Sequence, residues 1–164
     1  MRRRLVLAFA ATSMLAAGCG FELRHAPHFA FSTIYIGSAP ASALGNELKR
    51  SIATSDGVTV LATPAGNPQV IMDVLGEQRE KAVVGLNASG QVREFELRLR
   101  FKFKLRTPQG KELIPETELL QQRDISYNET AALSKEAEES LLYRDMQSDL
   151  VQQLMRRLAA VKAL

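Results

Sequence analysis

Tryptophan is missing from this chain, and Cys19 is its single cysteine. A disulfide framework is therefore excluded. Histidine is nearly as scarce: His25 and His28 form one His-x-x-His pair, and no other histidine follows. Without a histidine in the main body, a serine triad cannot be assembled. His-Glu-x-x-His, Gly-x-Ser-x-Gly, a phosphate-cradling glycine loop and Cys-x-x-Cys are absent as well. Near His25 and His28 the only further ligand types are Glu22 and Cys19. A rigid metal centre is not expected on such a segment. No Asp/Glu pair stands out for acid–base work. The sequence thus reads as a non-enzyme with no cofactor and no metal. After the first twenty residues it also lacks an apolar run of membrane length, an internal repeat or a low-complexity tract.

What the chain does have begins at residue 1. Arg2-Arg3-Arg4 is followed by an apolar run from Leu5 to Ala17, then Gly18 and Cys19. A basic head, an apolar centre and small residues before a cut site make a secretory leader. The run of 13 residues is too short to cross a bilayer, which takes roughly 20. Leu15-Ala16-Ala17-Gly18-Cys19 resembles the lipobox of lipoprotein precursors, with Leu15 one place earlier than the usual pattern. Residues 1–18 are therefore expected to be cleaved, and Cys19 to carry a diacylglycerol and an N-acyl chain. An unpaired thiol would be a liability in an oxidising compartment, and acylation removes it. Several acyl chains hold a protein on a membrane durably, at about 0.8 kcal/mol per buried methylene. Gly20 stands where Asp would signal inner-membrane retention, so the expected place is the outer membrane, on its periplasmic side.

The formal charge of +3 belongs to the leader. Removing its three arginines from 21 basic residues leaves 18, against 18 acidic ones. A general pull toward nucleic acid does not follow from a neutral body.

Residues 19–30 read as a lipidated tether and 31–164 as one domain. Thr33-Ile34-Tyr35-Ile36 is a short strand closed by Gly37. Leu44, Leu48 and Ile52 share one face of a helix that Asp56-Gly57 stops. Val58 to Leu61 is a second strand candidate, Thr63 to Pro68 a turn, and Val70 begins a longer strand that continues through the polar stretch Glu77–Lys81. Asn87 to Gly90 is a loop tip. From Phe95 to Arg106 apolar and charged residues alternate without a fault, giving a strand with one buried and one wet face. Pro108-Gln109-Gly110 turns the chain into a partner strand, Leu113 to Tyr127. Antiparallel pairing about that turn sets Lys102 opposite Glu116 and Arg100 opposite Glu118, so the basic row is expected to be a solvated face. Thr130 to Val161 has neither Gly nor Pro and carries Leu142, Met146, Leu150, Leu154 and Leu158 at spacing four, with acids early and bases late, as suits a helix dipole. The expected architecture is α+β: a two-layer sandwich with two helices on one face of a small sheet, mixed or antiparallel.

Several segments, in order, are similar to the LptE (RlpB) family of lipopolysaccharide-assembly lipoproteins. They are Cys19-Gly20-Phe21-Glu22-Leu23-Arg24, Leu75–Arg79, Gly90–Leu97, Arg123–Tyr127, Ala132–Lys135, Met146-x-x-Asp149 and Arg156-Arg157-Leu158. The resemblance implies a four-stranded sheet carrying two helices. It implies a plug inside the lumen of the outer-membrane β-barrel LptD, in a hetero-complex of 1:1 stoichiometry, that helps the barrel assemble and contacts lipopolysaccharide. It places a lipopolysaccharide-binding cation at Lys135, with Arg123 and Arg93 as further candidates. The alternative is a free-standing periplasmic-facing binding lipoprotein with no barrel partner.

Overall fold

The computed structural model describes residues 28–164. The leader, Cys19 and the segment through residue 27 lie outside the described residues. Strand β1 is Thr33–Gly37, helix α1 Ala43–Ala53, β2 Thr59–Leu61, β3 Val70–Leu86, β4 Val92–Arg106, β5 Glu112–Ser126 and helix α2 Ala132–Ala159. One five-stranded sheet runs in the order β2-β1-β3-β4-β5. β1 is parallel to β2 and to β3, while β3, β4 and β5 form an antiparallel meander. The four-stranded count implied by the resemblance is one strand short. The extra strand is β2, three residues long, which joins the edge because α1 returns the chain for a second parallel pass.

Alternation decides which face of β4 is dry. Leu97, Leu99, Phe101, Phe103 and Leu105 are fully buried beneath the helices. Each large side chain removed from water in this way contributes about 1.5–3 kcal/mol. α1 lays Leu44, Leu48 and Ile52 on that layer, and α2 adds Met146, Leu150, Leu154 and Leu158, the spacing-four stripe read from the sequence. Leu142 at the head of that stripe is only partly buried. Ser42 caps α1, its hydroxyl accepting a hydrogen bond from the Gly45 amide at 2.8 Å. Phe29, near the end of the segment read as a tether, already packs in the core with Phe31, their rings 5.2 Å apart.

The register differs from the one expected about the Pro108–Gly110 turn. Lys102 stands opposite Glu118 and Arg100 opposite Leu120, because bulges at Phe103–Leu105 and Leu105–Arg106 move β5 by two residues. The ion pairs nevertheless form as expected, on the diagonal: Lys102 with Glu116, and Arg100 with Glu118 at 3.0 Å.

β3 spans 17 residues, or roughly 55 Å at the usual rise per residue. Its start, with the β4–β5 turn and the last turns of both helices, defines a lower end. Its finish, with the Asn87–Gly90 tip and the start of α2, defines an upper end.

Candidate functional site

At the upper end a cleft of about 130 Å³ opens between the first turns of α2 and the helix-facing side of the sheet. Phe95, Ile125 and Tyr127 form its apolar floor, with the Phe95 and Tyr127 rings edge-on at 5.2 Å. Two lysines border it. The Lys135 ammonium donates to the Ser126 hydroxyl at 3.0 Å and to Glu138 at 2.8 Å. The Lys81 ammonium donates to Glu139 at 2.7 Å and lies 4.3 Å from the centre of the Phe95 ring. An apolar floor rimmed by ammonium groups suits an amphipathic anion. A phosphate entering it would take over hydrogen bonds that Glu138 and Glu139 now accept.

The three cations singled out by the resemblance are not one cluster. Lys135 is in the cleft. Arg93 is at the same end of the sheet but lines a separate cleft of about 190 Å³ with Asn128, Glu129 and Thr130. The 127–131 connection runs between them, and the Arg93 carbonyl accepts from the Tyr127 amide at 2.8 Å. Arg123 faces the helices midway along and is engaged with Asp149 at 3.0 Å. Asp149 lies 14 residues beyond Lys135 on α2, or about 21 Å of helix.

Lys81 escaped the sequence reading, and the cause is one residue. A bulge between Val74 and Gly76 leaves Leu75 unpaired and reverses the alternation of β3. Met72 and Val74 face the helices before it, and Glu77, Arg79 and Lys81 after it. Each of the last three finds a partner there. Glu77 accepts from the Ser42 hydroxyl, and Arg79 donates to Gln147 at 3.2 Å. Gln147 donates to Glu47, which also accepts from Ser148 at 2.8 Å. The Arg79 guanidinium stacks 5.2 Å from the Tyr143 ring, whose hydroxyl donates to the Glu80 carbonyl at 2.6 Å. Burial pushes the Tyr143 phenol up from its ordinary value, with Glu139 adding to the shift.

The opposite face of the sheet is polar and internally paired. Arg98 meets Glu96 and Glu80, Arg100 meets Glu80 and Glu118, Lys102 meets Glu116, and Lys104 and Arg106 meet Asp73. The Lys102–Glu116 hydrogen bond holds the carboxyl below its usual range and the ammonium above its own. Among the described residues no group of three or more His, Cys, Asp or Glu side chains is placed to hold a metal.

Fold and site together define a small α/β sandwich that offers charged but self-neutralised surface and amphipathic clefts to a partner. The chain belongs to the LptE lipopolysaccharide-assembly family, whose model matches residues 31–158. It is 27% identical over 167 residues to the LPS-assembly lipoprotein LptE of Yersinia enterocolitica, covering 99% of this chain and 79% of that protein. It is 26% identical to the protein of the same name from Pectobacterium atrosepticum, covering 98% of this chain and 88% of the relative. Among solved structures, lipoprotein B from Nitrosomonas europaea shares 36% identity and a TM-score of 0.73, with 86% of this chain and 91% of that one covered. Rare lipoprotein B from Shewanella oneidensis, at 18% identity and a TM-score of 0.66 over 79% of this chain and 95% of its own, shares the fold.

Proposed function

We propose that this chain is a non-catalytic outer-membrane lipoprotein of lipopolysaccharide assembly, cleaved before Cys19 and acylated there. Its body, residues 31–164, plugs the lumen of the LptD β-barrel, helps that barrel assemble and contacts lipopolysaccharide on its way to the surface. Family membership supports the assembly role. The observation that carries the plug reading is the outer face of the sheet, where every cation from Arg98 to Arg106 on that face has a carboxylate beside it. Barrel lumens are polar while their outer walls are apolar. A body that keeps its apolar residues in its own core and shows the wall a neutralised polar sheet fits such a space. An anchor beside the barrel raises the effective concentration, so modest contacts suffice.

Lipopolysaccharide contact belongs to the upper end. Lys135 supplies charge there, and Val83, Leu86 and Leu133 supply exposed apolar surface. Purification of the tagged protein from membranes is expected to bring down a large β-barrel in equal amount. Recovery of the lipoprotein alone would favour the free-standing alternative. Lys135→Glu is expected to weaken lipopolysaccharide binding about ten-fold, the loss of one charge-assisted contact. Unchanged binding by the folded variant would remove Lys135 from the site.

A further inference from the structure

The lower end carries a second charged surface, built unlike the sheet face. Arg50 lies in the last turn of α1, and Arg156 and Arg157 lie in the last turn of α2. Lys162 follows α2, and Lys111 leaves the β4–β5 turn to donate to the Leu164 carbonyl at 3.1 Å, which brings that turn beside the end of α2. All of these side chains are exposed. None pairs with a carboxylate among the described residues, whereas the β4 cations all do. The exposed acids nearby in the chain are Asp56 and Glu112, fewer than the cations. Helix dipoles account for arginine in a last turn. They do not account for Lys111 and Lys162, which lie off the helices.

The chain also enters its fold here. Phe29 and Phe31 are buried, and β1 starts beside Val70 at the foot of β3. Cys19 precedes His28 by nine residues, so a group bound to it lies within roughly 30 Å of this end.

We propose that the lower end docks on a bilayer surface through anionic glycerophospholipid headgroups. Unpaired guanidinium and ammonium groups bind phosphodiesters by charge-assisted hydrogen bonds, and each basic side chain near an anionic leaflet adds to the attraction. An anchored chain needs no affinity from this surface to stay on the membrane; the basic end sets its orientation, lower end toward the headgroups and upper end away. The orientation argument rests on acylation of Cys19, but the surface itself does not. Arg156 stands 21 residues from Lys135 along α2, about 30 Å, so this surface and the lipopolysaccharide cleft can be tested apart.

The test uses residues 20–164 without leader or lipid. The core lies within residues 29–161, and the Nitrosomonas relative is folded in solution over an equivalent span. Co-flotation with phosphatidylcholine vesicles containing about 30 mol % phosphatidylglycerol is expected to exceed that with phosphatidylcholine alone by ten-fold or more, and to vanish in about 0.5 M salt. Arg156→Glu with Arg157→Glu and Lys162→Glu is expected to abolish the excess while leaving lipopolysaccharide binding at the upper end intact. Arg156→Gln with Arg157→Gln, which keeps the helix end free of new acids, is expected to fall between. Equal flotation with both vesicles, or an excess that survives the reversals in a folded protein, overturns the proposal. So does a result in which the reversals lower binding to lipopolysaccharide and leave phosphatidylglycerol flotation unchanged.

Discussion

At Gly45, glycine in a helix serves a close approach. An alanine there ordinarily stabilises a helix by about 1 kcal/mol. In this position a Cβ would lie 2.5 Å from Cβ and Oγ of Ser38 and 2.8 Å from the Ser42 hydroxyl. Ser38 is on the connection between β1 and α1, so the collision is with the chain that aims the helix. Gly45→Ala is expected to cost about 1–3 kcal/mol, and adding Ser38→Gly should recover most of it. A rise in the urea midpoint of the single variant would show that the connection yields. Tyr143 makes a different kind of demand. It is 8% exposed, and its hydroxyl is spent on the Glu80 carbonyl. Tyr143→Phe keeps the ring under Arg79 and removes that bond, at a cost of about 1 kcal/mol. The sign of its pH dependence follows from the raised pKa. A group raised in the folded state contributes fully below its ordinary value, and the contribution is lost as pH rises through the folded value. Parent stability should therefore fall above about pH 10, and the Phe variant should show less of that fall in urea titrations at pH 9 and 11.

Among the elements, β3 shows what a sequence makes visible and what it hides. β4 could be read outright, because Phe95 to Leu105 alternates without interruption and one fault-free period fixes both faces. α2 could be read for the same reason at a period of four. The sheet's fifth strand was in the residue pattern as Val58–Leu61, yet three residues at an edge carry too little periodicity to count as firmly as β4. In β3 the apolar side runs Val70, Met72, Val74, and the polar stretch beyond says nothing of a change of face. Leu75 makes that change, being the unpaired residue of the bulge and 44% exposed. Hence Lys81 and Arg79 looked like surface, and the site around Lys135 was legible only in its helical half. Likewise the diagonal ion pairs of Lys102 and Arg100 were readable as charges but not as register, since bulges leave no compositional mark. Deleting Leu75 is expected to restore unbroken alternation and to swing Glu77, Arg79 and Lys81 out of contact with both helices. The consequence should be a loss of several kcal/mol, from several buried hydrogen bonds at about 1 kcal/mol each plus the repacking. Hydrogen exchange should locate it at the contact of α2 with β3. A deletion variant as stable as the parent would mean that the bulge does not hold the polar contacts in place.

For the molecule as a whole, stability and recruitment are separable because they occupy opposite faces of one sheet. The core side holds the fold together by burial. The outer side carries exposed ion pairs, each of which contributes at most about 1 kcal/mol to stability. If those pairs exist to present a polar wall, removing charge there should leave the fold alone and harm association. Lys102→Leu with Glu116→Leu tests this cleanly, since both partners go together and no single charge is left behind. The thermal midpoint is expected to stay within a few degrees, corresponding to about 0.5 kcal/mol. Recovery of the barrel with the tagged protein is expected to fall, because two leucines facing a hydrated lumen replace a matched polar contact. The same substitutions are about 30 Å or more from neither clefts nor anchor by any covalent necessity, so the comparison that matters is internal: lipopolysaccharide binding by the isolated body should be unchanged while barrel recovery drops. Loss of both together, in a protein that still melts cooperatively, would mean that the outer face does not act as a separate wall-facing surface.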